Sequence, residues 1–503
     1  MLKSRYLFAA LLIAMPMRCP AYAQMNTFFG TNAGQSNTTG QRNSFFGFEA
    51  GKSNTSAFNN SFFGSDAGRS NTTGFSNSFF GTNVGVSNTI GNGNSFFGTA
   101  AGFKNTIGGF NSFFGTGAGV NNTTGNFNSF FGAQAGQDTT TGGNNSFFGY
   151  QTGRSNTTGH SNSFFGNLAG LSNTIGQFNS FFGNEAGRFN TTGGGNSFFG
   201  ASAGRSNTSG YSNSFFGPEA GRGNTTGHSN SFFGLRAGFA NTVGIQNAIF
   251  GSYAGQLNTT GADNAFFGFN AGRNTTAGSN SFFGSWAGHF NSTGTQNSFF
   301  GTHAGQFNTS GVDNSIFGFD AGLNTIGNSN SFFGSQAGKN NTTGRNNSFV
   351  GFDAGLYNTT GIANSFLGTE AGQNNKTGSG NTFVGLGAGQ SNVSENNNTF
   401  VGVNANGAAG ITNATAIGAR ASVTKTNSLV LGSINGVNSA TSSVNVGIGT
   451  TAPSERLHVE GGNIYVSQAG QGIILKSPNG SICRLLTIDN AGAMLLTTLA
   501  TCP

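Results

Sequence analysis

The sequence predicts an all-β protein: a repetitive parallel β-solenoid, or β-roll, of 17-residue coils that ends in a small C-terminal β module. Three observations carry that expectation. One unit, Asn-Ser-Phe-Phe-Gly-x-x-Ala-Gly-x-x-Asn-Thr-Thr-Gly-x-x, recurs through most of the 503 residues. Gly (87 residues) and Phe (55) dominate the composition. Charged residues make up only 7%, against the ~25% of an ordinary soluble domain. This scarcity excludes a charged disordered tail. Collagen is excluded by the 6 Pro and by the absence of a three-residue Gly period. With 14 acids, 5 His and 3 Cys there is little from which to build a catalytic core.

Residues 1–23 read as a secretory signal. Lys3 and Arg5 form a positive start, Tyr6 to Met17 is apolar, and Ala21-Tyr22-Ala23 fits a small-x-small cleavage site before Gln24. The apolar stretch is shorter than the ~20 residues of a spanning helix, and no later segment is apolar enough to be one. Arg18 stands where a lipid-attachment site at Cys19 would need a small residue, which argues against a lipoprotein. The expected location is therefore extracellular or on a bacterial cell surface. The formal charge of +7 includes Lys3, Arg5 and Arg18, so the remainder carries 7 − 3 = +4 and is nearly neutral. A nucleic-acid partner needs bases gathered on one face, and none is expected.

Residues 24–402 form the repeat. The glycine after each Phe pair runs from Gly30 to Gly402, a span of 372 residues: twenty intervals of 17 and two of 16. The short intervals are Gly268 to Gly284 and Gly318 to Gly334. Each reads as one residue shorter just after Ala-Gly (Ala271-Gly272 and Ala321-Gly322), which would make that corner an exposed loop. A fixed period near 17 is too short for a pair of helices and suits one solenoid coil. Gly, Asn and Ser supply the corners. Asn-Ser-Phe-Phe reads as a strand, with Asn-Thr-Thr as a candidate second one. Stacked at ~4.8 Å, the 23 copies make a rod of roughly 110 Å. Identical Asn residues can bond along the stack as a ladder. A disordered low-complexity tract is the alternative, and the strict register argues against it.

Neighbouring strand residues point to opposite faces, so one Phe of each pair should fill the coil and the other emerge. An aromatic stripe along a whole rod exceeds the few hundred Å² that soluble monomers expose. It should be buried against further copies of the chain, in an obligate homo-oligomer. The alternative is a bulge that turns both rings inward.

From residue 403 to 443 the units shorten to 14–16 residues, as in Asn413-Ala-Thr-Ala-Ile-Gly418 and Asn427-Ser-Leu-Val-Leu-Gly432. These two units resemble the head repeats of trimeric autotransporter (YadA-like) adhesins. The resemblance implies a left-handed parallel β-roll and a homotrimer. It is specific over 413–432 and looser over 26–402. No heptad stalk and no membrane-barrel strands accompany it. Residues 444–466, from Val-Asn-Val-Gly-Ile-Gly through Gly-Gly-Asn-Ile-Tyr-Val, resemble a segment of phage tail fibres and bacterial surface proteins. Within the 444–503 module, Ile473-Ile-Leu-Lys and Cys483-Arg-Leu-Leu-Thr-Ile read as strands joined by a Pro478-Asn479-Gly480 turn. Cys483 and Cys502 are the only cysteines after the signal. In an exported protein they read most simply as a disulfide, with free thiols or bridges between chains as alternatives.

The search for chemistry yields no catalytic residue, no cofactor site and no metal site, so an enzyme is not expected. His160, His228, His289, His303 and His458 have no Cys or carboxylate at ligand spacing. Gly-x-Gly patterns occur without a following helix. One charge pattern is ordered. Seven acids lie two residues after the repeat glycine, including Glu49, Glu185 and Glu219, and eight bases lie five after it, including Lys52 and Arg69. The plain reading is a solvated edge of weak ion pairs. The sharper one makes Arg188, Arg205 and Arg222, on three successive coils, a candidate ladder for an anionic glycan. The variable positions Tyr253, Trp286 and Phe319 are further places where specificity could lie. The expected function is a secreted or surface fibrous adhesin or matrix protein, binding multivalently along a rigid rod. An ice-binding solenoid and a phage-type fibre are the alternatives.

Overall fold

The structure, a computed structural model, describes residues 25–468, 471–478, 481–499 and 501. The signal segment 1–23, the Asn479-Gly480 turn and Cys502 lie outside the described residues. Strands β1 (Thr27–Phe29) to β23 (Thr399–Val401), one per coil, are three residues long and pair in parallel with the next. β24 (Asn406–Gly407) pairs with β26 (Ser422–Val423) as a second, short parallel sheet. β25 (Thr415–Ile417) and β27 (Leu429–Leu431) extend the main sheet to 25 strands. Equivalent residues stack in register, as in Phe181 on Phe198 and Phe182 on Phe199.

The coil that contains Gly200 shows why this sequence closes. Gly200 has φ +136°, and a Cβ there would lie 2.5 Å from the Gly217 carbonyl oxygen of the next coil. Gly204 (φ +56°) lets the chain cross the Phe198 ring, which a Cβ would meet at 2.4 Å. The interior holds Phe198, Ala203 and two asparagines, all fully buried. Asn196 donates its backbone N–H to Asn179 Oδ1 (3.0 Å) and its Nδ2 to the Gly210 carbonyl (2.8 Å). Asn207 Nδ2 donates to Asn190 Oδ1 (2.7 Å) and to the same Gly210 carbonyl (3.0 Å). The two buried amides are thus satisfied partly by their counterparts one coil away and partly by the Gly210 carbonyl of their own coil, as burial requires. The inner rings stack face to face, Phe181 on Phe198 at 4.8 Å and Phe198 on Phe215 at 4.8 Å.

Two expectations about the coil are corrected. The Asn-Thr-Thr side is a hydrogen-bonded turn, not a second strand: Thr208 gives both its N–H (2.9 Å) and its Oγ1 (3.1 Å) to the Thr225 carbonyl of the next coil. A second strand pairing appears only in the shorter coils, through β24 and β26. The short intervals also do not lose a residue after Ala-Gly. Asn274 N–H still reaches the His289 carbonyl (3.0 Å), as its counterparts do in full-length coils, so that side is intact. Thr275 takes the buried Asn slot, and the missing residue is the exposed second Thr of the turn. Thr325 does the same in the second short coil. Thr139, Thr275 and Thr325, all in that slot, leave buried Oγ1 atoms without a hydrogen-bond partner, so the Asn ladder is interrupted there.

Beyond the stack, β28 (Val446–Ile448) pairs in parallel with β29 (Leu457–Val459). β30 (Ile473–Lys476), β31 (Cys483–Ile488) and β32 (Met494–Thr498) form an antiparallel sheet. The first two of these are the strands read from the sequence. Ser477 N–H donates to the Ile482 carbonyl (2.8 Å) and closes their turn. Cys483 is buried at the start of β31. Among the described residues no helix is long and apolar enough to cross a membrane.

Candidate functional site: the outward Phe stripe and the corner beside it

From Phe46 to Phe317 the second Phe of each pair is half-buried at the outside of its coil, while the first slot, Phe or Ile, is fully buried; Phe333 is exposed, and in the first coil both Phe28 and Phe29 are exposed. No bulge turns both rings inward. The outward rings stack without a gap from Phe46 to Phe333, with centroids 4.6–4.8 Å apart. Each ring covers the faces of its neighbours and leaves its outer edge to solvent. Val350, Leu367, Val384 and Val401 continue the stripe, with Leu367 52% exposed.

The ordered charges lie past the turn that follows the stripe. Arg188 and Arg205 both pair with Glu185, Arg205 at 2.6 Å. Arg222 (3.1 Å) and Arg236 both pair with Glu219. Phe189 lies between Arg188 and Arg205, at 5.0 and 4.9 Å, and Arg222 and Arg236 flank Phe239 at 5.6 and 5.5 Å. The three predicted ladder residues are therefore on one side of the rod but not bare. Four guanidinium groups face two carboxylates. Partial burial works against the Glu185 charge, yet the Arg205 hydrogen bond and the charges of Arg205 and Arg188 hold its carboxyl below the usual range. Arg236 and the two phenylalanines were not singled out from the sequence, because Arg236 breaks the acid column it sits in.

From the next coil on, the same corner changes character. Tyr253, Phe269, Trp286, His289, Phe290 and Phe307 make a continuous chain of ring contacts, with centroid distances from 4.4 to 6.1 Å. His289 is buried, and its Nδ1 lies 3.2 Å from the Asn270 carbonyl oxygen. Burial pushes its pKa down, the Arg273 charge adds to that, and the Asn270 carbonyl opposes it. His303 Nδ1 (3.0 Å) and Lys339 Nζ (2.9 Å) both meet Asp320. Of the three variable positions named from the sequence, Tyr253 and Trp286 belong to this cluster. Phe319 lies beside His303, 6.0 Å away.

Elsewhere, a cleft of about 370 Å³ in the C-terminal module is lined by Ile464, Tyr465, Ile473, Leu486 and Met494. Among the described residues no group of three or more His, Cys, Asp and Glu converges. No family model matches the chain, and no curated protein matches it significantly.

Proposed function

We propose that the protein is an exported fibre of the cell surface or matrix, in which three copies pack through the outward Phe stripe and present repeated weak contacts along a rigid rod. The stripe carries this reading. Its rings are ordered by their own stacking, so covering them costs little side-chain entropy and removes a rod-length apolar band from water. The head-repeat resemblance supplies the number three and the surface location. Repetition supplies the mechanism, since linked weak sites gain avidity without a deep pocket.

The ice-binding alternative has less support, because the hydroxyl of the first Thr, as in Thr208, is committed to the next coil's carbonyl. Replacing Phe165, Phe182, Phe199, Phe216, Phe233 and Phe250 by Ser tests the proposal. Monomers should be released, and attachment to glass and matrix-coated wells should fall at least tenfold with the lost valence. Oligomers of unchanged mass would refute it.

A further inference from the structure

We infer that the corner from Arg154 to Arg273 is a binding track for an acidic polysaccharide that carries one uronate in each disaccharide and lies along the rod. The inference rests on the fibre reading and names what the fibre grips. Three observations carry it.

The charges of this corner do not balance. Near the start of the rod, Lys52 and Arg69 meet Glu49 and Asp66, two bases against two acids. Between Gly183 and Phe250 the only Asp, Glu, Lys and Arg residues are Glu185, Glu219 and the four arginines that pair with them, Arg188, Arg205, Arg222 and Arg236. Arg154 and Arg273 lie in the Arg188 column, two coils beyond either end of that group. They donate to the neutral Gln137 (3.1 Å) and Gln256 (2.7 Å) and keep their full charge. Asp263, the one further charged residue between them, precedes β15 (Ala265–Phe267), at the other end of the strand. An edge of mutual ion pairs would not carry this excess.

The excess is also regular. Taken two at a time, the eight coils of Gly149 to Gly268 each contribute one net positive charge to the corner: Arg154, then two arginines on Glu185, then two on Glu219, then Arg273. Two coils span about 10 Å. Duplex DNA, with a negative charge per ~1.7 Å, is far too dense to match. A β-linked polysaccharide with a uronate at every second sugar advances by about two coils per charge.

The guanidinium groups are held in place with donors to spare. Arg205 and Arg236 give Nε to Glu185 and Glu219, which leaves both Nη groups of each unspent and open to solvent. Phe189 and Phe239 lie 4.9–5.6 Å from the four guanidinium carbons and steady them. A planar carboxylate takes two parallel N–H donors from such a fork, and side chains already fixed lose little freedom on binding.

The full chain is passed over immobilised hyaluronan, which has one glucuronate per disaccharide, and over dextran and duplex DNA at the same salt. Saturable binding to hyaluronan that weakens as sodium chloride is raised is expected, with none to dextran. The double variant Arg205→Gln, Arg236→Gln should lose about tenfold or more in affinity. Arg345→Gln, Lys376→Gln removes the same charge from exposed bases outside the corner and should bind as the parent does. No binding to hyaluronan, tighter binding to DNA, or a first variant no weaker than the second overturns the track. Light scattering on the same samples separates the two readings. A trimer that ignores hyaluronan refutes the track alone, and a monomer that binds it refutes the stripe packing alone.

Discussion

The coils around Gly200 and the module after residue 444 use similar apolar residues to opposite effect. In the coil, Phe198 is fully buried and the amides of the Asn pair are satisfied by neighbours one coil away and by the Gly210 carbonyl of their own coil. In the module, Ile473, Ile474 and Leu475 on β30 and Leu495 and Leu496 on β32 are all exposed. One chain therefore completes its own core wherever a copy of the unit lies above and below. Where the repeat stops, the same chain leaves both faces of a three-stranded sheet open. Repetition, not hydrophobicity, builds this interior, and the outward Phe stripe is the one feature of the stack that repetition within a chain does not finish.

Glycine substitutions test that contrast most strongly. Gly200→Ala should cost about 3 kcal/mol or more, since it combines a left-handed φ with backbone overlap on the next coil. Gly436→Ala, at φ +79° with nothing within 4 Å of its Cβ, should cost only the local strain, about 1 kcal/mol. Hydrogen exchange in the flanking strands reads both. Equal effects would mean that close stacking does not define the rod.

The Phe pair gives the next largest effect. Phe198→Ala empties a buried slot and should destabilise its coils by about 3–5 kcal/mol. Phe199→Ala, one residue on, should leave the isolated coil nearly as stable and weaken association instead. Thermal melts and sedimentation at matched concentrations separate the two outcomes.

A smaller effect comes from Asp353, whose Oδ1 is buried without a partner. Burial, and then the Glu370 charge, raise its pKa above the ordinary value, with Lys339 opposing. Its folded pKa exceeds the unfolded one, so its contribution is fully present below the unfolded pKa and is lost as pH rises through the folded value. Asp353→Asn should therefore stabilise its coils by about 1 kcal/mol at pH 7 and by little at pH 3. A gain that is the same at both pH values would contradict the assignment. Least of all, Glu185→Gln should shift stability by ~0–1 kcal/mol, because the pair lies at the surface of the rod and the amide can still accept from Arg188 and Arg205.

Much of this was legible from residue order. The Gly register gave the coils, alternation gave the inward and outward rings, and the recurring Asn pair gave the ladders. The place of the shortened intervals was not legible. Asn274 looks like the conserved slot of the motif, but the bond from its N–H to the His289 carbonyl fixes it one position earlier and puts Thr275 inside. Strand β32 was missed because Met-Leu-Leu-Thr-Thr has no two-residue alternation, and only its pairing with β31 makes it a strand. The aromatic corner was missed because its rings occupy different slots of successive units and meet only when the coils stack.

The central claim is that the outward stripe is an interchain core. Light scattering on residues 24–503, unboiled and unreduced, tests it most directly. The account predicts a mass three times that of the chain. A monomeric mass at micromolar concentration would contradict it, because the stripe from Phe46 to Phe333 would then stand open to water.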